Sequence, residues 1–102
     1  MPFALPSASR LVLIPSYNTG GRLLRRTVEE VLEFWSPVWV ILDGSQDDSL
    51  QALEALRSQR ALDQGQLRIL SHWPNRGKGA AIESALEPAQ RAGFTHVMTF
   101  DA

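Results

Sequence analysis

Tyr17, Asp43, the run Asn75-Arg76-Gly77-Lys78-Gly79 and Asp101 put an aromatic ring, two carboxylates and a basic glycine-rich segment in one short chain. Each type has its own chemistry. The ring can stack on a planar base, and the Asp43 carboxylate can accept an N–H from one. The basic segment can meet phosphates. Asp101 can hold a divalent cation, because hard cations prefer carboxylate oxygens. Two familiar phosphate motifs are absent. Gly77-Lys78-Gly79 lacks the Gly-x-x-x-x-Gly-Lys-Ser/Thr spacing of a P-loop. Tyr17-Asn18-Thr19-Gly20-Gly21 does not supply the Gly-x-Gly-x-x-Gly of a dinucleotide site. The Gly-rich Arg-Leu loop of sugar nucleotidyltransferases is missing as well. Dehydrogenase, NTPase and nucleotidyltransferase readings therefore drop behind.

The pattern around these residues predicts what must position them. Apolar, β-rich runs cover residues 11–14, 38–42, 67–70 and 96–100. Unbroken runs of this length suit strands buried on both faces of a parallel sheet. Pro15 is expected to end the first. Leu24, Val28, Val31, Leu32 and Trp35 mark one face of an intervening helix. Leu50, Leu53 and Leu56 mark a second, with Ser45 as its expected N-cap and Asp48 three residues on. Ile82, Ala85, Leu86 and Ala89 mark a third, which Pro88 should kink or shorten and Gly93 should end. Residues 61–66 read as a surface loop. Alternating strands and helices predict consecutive right-handed βαβ units. In such open sheets ligands bind beyond the carboxyl ends of the strands. Every candidate residue above falls at one of those ends.

Four segments then resemble a known family. Ile14-Pro15-Ser16-Tyr17-Asn18 is similar to the I-P-x-Y-N opening of family 2 glycosyltransferases. Residues 40–47 resemble its V-V-D-D-G-S-x-D, residues 75–81 its N-x-G-K-G-A-A, and Phe100-Asp101-Ala102 the start of its F-D-A-D. The last two resemble the polyprenol-phosphate branch in particular. The resemblance implies an α/β, Rossmann-like doubly wound parallel sheet of order 3-2-1-4, the N-terminal half of the GT-A fold. It implies transfer of a sugar from a UDP- or GDP-sugar to an acceptor. Tyr17 would pack on the base, with the backbone at Pro15 and Ser16 nearby. Asp43 would hydrogen-bond the base. Arg76 and Lys78 would lie near the nucleotide, Lys78 against a phosphate. Asp101 would be the first acid of the D-x-D motif that binds the diphosphate through Mg²⁺ or Mn²⁺.

Two departures qualify this. Leu42 replaces the first of two paired acids, removing a possible polar contact. The sequence also stops at Ala102, before the second acid of the metal motif. Residues 1–102 are thus expected to be the nucleotide-sugar-binding half of such a domain, without sugar transfer by themselves. The alternative is an inert nucleotide-binding or assembly module derived from such an enzyme.

Plainer roles stand beside the sharper ones. Asp43-Gly44-Ser45 also reads as a turn, and Lys78 as a solvated cation at a helix start. Asp47 and Asp48 suit a helix N-terminus through its dipole. His72 and His96 lack metal-ligand spacing and read as structural or exposed. Trp35, Trp39 and Trp73 read as packing, and Arg25-Arg26 as a solvated helix face.

Bulk properties fit one soluble domain. The net charge of −1 gives no case for nucleic acid. The absence of cysteine excludes disulfides and thiolate chemistry. No apolar run approaches the ~18 residues of a membrane span, and the proline-broken start lacks a basic n-region. A cytoplasmic location is expected. So is self-association through the fourth strand, whose apolar edge has no proline or lysine to discourage pairing.

Overall fold

A computed structural model describes residues 10–63 and 65–101. The N-terminal segment, Gln64 in the expected surface loop and Ala102 in the metal motif lie outside the described residues. The elements run β1 (Arg10–Ser16), α1 (Gly21–Leu32), β2 (Val38–Asp43), α2 (Ser49–Gln59), β3 (Leu67–His72), α3 (Lys78–Arg91) and β4 (His96–Thr99). All pairings are parallel, and the strand order is β3-β2-β1-β4. This is the expected doubly wound α/β sheet.

Period-two alternation along the central strands divides the core between two faces. Val12, Ile14, Val38, Val40 and Leu42 pack with Leu24, Val28 and Val31 of α1 and with Leu53 and Leu56 of α2. Leu11, Leu13, Trp39 and Ile41 pack on the other face with Ala81, Ala85 and Ala89 of α3. Each fully buried aliphatic side chain contributes about 1.5–3 kcal/mol. The α3 stripe is alanine at every fourth position, and Trp39 supplies the bulk beneath it. Phe94 meets that indole edge-on, with centroids 5.7 Å apart, and the Arg68 guanidinium lies 4.7 Å from its ring centroid.

Several sequence expectations are corrected. β1 continues through Pro15 to Ser16. Pro15 shares parity with Leu13, whose carbonyl accepts from the Phe100 N–H. Its missing donor therefore faces the β4 side, where paired residues end at Leu13 and Thr99. α3 is not shortened at Pro88 but continues to Arg91, and positive-φ Gly93 follows it. Its buried face runs through Ala81, Ala85 and Ala89, while Leu86 and, on α2, Leu50 are exposed. Trp35 lies just past α1, its N–H bonded to the Val31 carbonyl. The fourth run is not buried on both faces: all of β4 is exposed. An apolar run has the same appearance at a sheet's edge as at its centre.

The start of α2 departs most from expectation. Its N-cap is Asp48, without a side-chain capping bond. Ser45 faces the preceding βα loop instead, where its Oγ accepts from the Asn18 N–H at 3.1 Å. A tertiary partner outcompetes the local capping box.

Candidate functional site

The first two βα loops are laced together at the carboxyl ends of β1 and β2. Asn18, at φ 49°, accepts from the Gln46 N–H through its Oδ1 at 2.8 Å. Ser16 and Thr19 join their hydroxyls at 2.6 Å. The Gly20 N–H donates to Asp47 Oδ2 at 2.9 Å, and the Gly21 N–H to Asp48 Oδ1 at 2.8 Å. Asp47 also accepts from the Ser49 N–H at 3.0 Å. The acids expected to serve α2 thus extend to the N-terminus of α1, satisfying donors that its own turn leaves free. Burial alone would raise the Asp47 carboxyl, but the donors of Ser49 and Gly20 hold it below its ordinary value.

The third βα loop is tied to β2 by one carboxylate. Asp43 is buried, and its Oδ1 accepts the Arg76 N–H at 2.8 Å with His72 Nδ1 at 3.3 Å. Its Oδ2 accepts the Gly77 N–H at 2.6 Å and Asn75 Nδ2 at 2.8 Å. Asn75 Nδ2 also reaches the Asp43 carbonyl at 2.8 Å. Burial pushes the carboxyl up, but the Arg76 N–H, His72 and the Gly77 N–H together hold it below the usual aspartate range. Gly44 follows at φ +75°, where a Cβ would stand 2.4 Å from the Asn75 nitrogen. Only glycine fits there.

Between these loops opens a cleft of about 390 Å³, lined by Pro15, Ser16, Tyr17, Asp43, Asn75, Gly77, Lys78 and Asp101. Of the seven residues singled out by sequence, six line it. Tyr17 stands exposed at its rim. Lys78, the first residue of α3, forms an ion pair with Asp101. Both are largely exposed, so the pair adds at most about 1 kcal/mol to stability and is free to exchange partners. The Arg76 side chain is not among the lining groups; its backbone N–H serves Asp43 instead. The Asp43 carboxylate, expected to accept a base N–H, meets four donors of its own chain. Leu42 faces the opposite side of the sheet from Asp43 and packs in the α1–α2 core.

Sequence reasoning passed over two residues. Asn75 stands out in the sequence only as part of a motif, yet its amide donates to Asp43 twice. His72, read as structural or exposed, is a half-buried partner of the same carboxylate. An amide in a glycine-rich loop before a helix is a recognised supplier of backbone-directed hydrogen bonds, and that was the available signal for Asn75.

Asp101 offers a hard oxygen donor at the cleft, but among the described residues no group of three His, Cys, Asp or Glu could hold a metal ion. That donor set fits a Mg²⁺ or Mn²⁺ ion shared with substrate phosphates, which commonly needs only one or two carboxylates from protein.

A doubly wound parallel sheet with an aromatic, a lysine and a carboxylate lining a cleft at its strand ends has these groups where open α/β sheets bind ligands. The glycosyl transferase family 2 profile matches residues 11–102, and the chain belongs to that family. A dolichyl-phosphate beta-glucosyltransferase of Saccharomyces cerevisiae is 36% identical over 93 residues, covering 84% of this chain and 25% of the yeast protein. Among solved structures, the mannosyltransferase PcManGT from Pyrobaculum calidifontis, in complex with GDP-Man and Mn²⁺, superposes with a TM-score of 0.64. That match covers 78% of this chain and 24% of the other at 22% identity, a likeness of fold. The chain spans about a quarter of the length of each.

Proposed function

We propose that this chain binds a nucleoside diphosphate sugar, UDP- or GDP-linked, as the donor site of a glycosyltransferase. The observation that carries the reading is the convergence of Tyr17, Lys78 and Asp101 on one cleft at the strand ends. Tyr17 stacks on the base, a contact worth roughly 1–3 kcal/mol. The Pro15 and Ser16 backbone borders the base. Lys78 leaves Asp101 for the diphosphate, and Asp101 with that diphosphate holds the divalent cation. When bound, the cation neutralises charge on the departing nucleoside diphosphate. The acceptor class we propose is a polyprenyl phosphate, supported by the likeness to the yeast dolichyl-phosphate enzyme.

Calorimetric titration with UDP, GDP and their sugars, with and without Mn²⁺, tests the reading. A dissociation constant in the high-micromolar to millimolar range, about −4 to −6 kcal/mol, is expected. Tyr17→Ala should weaken binding by about tenfold or more. Lys78→Ala should weaken it while leaving the melting temperature nearly unchanged. Binding that neither substitution alters would place the nucleotide elsewhere.

A further inference from the structure

We infer that Asn18 is a positioning residue: bound into the second βα loop in a left-handed conformation, it holds Tyr17 at the cleft rim for stacking on the donor's base. This rests on the donor-site reading above and assigns a task within it.

Three observations carry the inference. The first is the backbone. Asn18 has φ 49°, in the left-handed region. Asparagine visits this region more readily than most side chains, but as a single residue that its surroundings must hold there. Residues kept in sparsely populated conformations gather where a structure presents functional groups.

The second is that the surroundings do hold it, through main chain and side chain alike. Its N–H donates to Ser45 Oγ at 3.1 Å, and its Oδ1 accepts the Gln46 N–H at 2.8 Å. Both partners belong to the loop after β2, 27 and 28 residues further on. On either side, Ser16 is buried at the end of β1 and the Gly20 N–H is fixed to Asp47 Oδ2. Tyr17 lies between these anchors, 56% exposed. Rotation about the Asn18 N–Cα bond moves the Tyr17 peptide relative to the rest of the loop. With Ser16 and Gly20 fixed, such a rotation would have to swing the Tyr17 side chain. The bonds of Asn18 therefore set where the ring stands. A ring already in place has less freedom to lose on stacking.

The third is what Asn18 leaves alone. It is not among the residues that line the cleft, so it acts on a ligand there through its neighbour Tyr17. Lys78 opens α3 and Asp101 follows β4, so the groups for the diphosphate stand on other segments. The influence of Asn18 falls on the base and not on the phosphates.

UDP and GDP carry a base, and inorganic pyrophosphate does not. ¹⁵N-resolved NMR titrations with these three probes compare wild type, Asn18→Gly, Tyr17→Ala and the double variant. Glycine keeps the left-handed turn without strain and removes the side-chain bond to Gln46. Asn18→Gly should weaken the nucleotide that wild type binds by about three- to tenfold, the scale of one hydrogen bond. It should bind pyrophosphate like wild type. In the double variant the Asn18→Gly factor should vanish, because the ring it positions is gone. Asn18→Gly that binds nucleotide like wild type overturns the inference. So does an equal loss of pyrophosphate, which would make Asn18 a support of the whole cleft. A double variant weaker than Tyr17→Ala by the full Asn18→Gly factor overturns it too, since Asn18 would then act by another route. Where pyrophosphate is too weak to titrate, the double variant decides alone. Melting temperatures show whether each variant folds. Should Asn18→Gly not fold, Ser45→Ala, which removes the acceptor of the Asn18 N–H, is judged by the same results. Wild type that binds no probe, or Tyr17→Ala that binds nucleotide like wild type, overturns the donor-site reading and this inference with it.

Discussion

Gly44→Ala should be among the most damaging single-methyl changes in the chain, and the structure allows its size to be worked out. Gly44 has φ +75°, a region where an L side chain costs roughly 1–2 kcal/mol. The new methyl would lie 2.4 Å from the Asn75 nitrogen and 2.7 Å from its Cα, both backbone atoms. Pushing them back to ordinary contact is overpacking, at about 1–3 kcal/mol. The shift would also stretch the Asp43–Asn75 bonds. Together these give a loss of about 3–5 kcal/mol, a large part of the 5–15 kcal/mol typical of a domain. At about 4–8 °C per kcal/mol for a chain of this size, the melting temperature should fall by roughly 12–40 °C. Gly93→Ala is the control. Its φ is +98° but no atom lies within 4 Å of the added methyl, so it suffers the backbone strain alone. Thermal unfolding followed by circular dichroism should show a drop for Gly93→Ala that is less than half as large. Equal drops would mean that β2 and the third loop do not approach closely.

Asp43 and Asp47 are both held below the ordinary aspartate value of 3.8. Carboxyls depressed in the folded state contribute stability that is complete above the unfolded value and lost as pH falls through the folded one. Urea midpoints should therefore be flat near pH 6 and decline below about pH 4, less steeply in Asp43→Asn; a wild-type midpoint that ignores acid would contradict the bonding described. Self-association through β4 is expected to give concentration-dependent sedimentation that Val97→Lys abolishes. A wild type that sediments as a monomer at high micromolar concentration would refute it.

What could be read from the sequence followed its local periodicities. Unbroken apolar runs located the four strands, and spacings of three and four located α1. The converging strand ends followed from the parallel arrangement alone. What stayed hidden depends on pairs far apart in sequence. Ser45 is a sound N-cap by local chemistry, but Asn18, 27 residues away, takes it. Asp43 reads as a free acceptor until the loop 32 to 34 residues later folds onto it. The exposure of β4 is a matter of sheet order, which composition cannot express. Leu42 reads as a lost acid, yet strand alternation turns it into the core.

The exchange of caps between the first two βα loops bears on where this chain can be cut or lengthened. Asp47 and Asp48 hold the Gly20 and Gly21 amides of a segment that precedes them by 27 residues. A residue inserted between Asn18 and Gly21, or between Gly44 and Ser49, would pull carboxylate and amide out of step at once in both loops. Tags, permuted termini and grafted segments should be refused at the strand ends where the cleft opens.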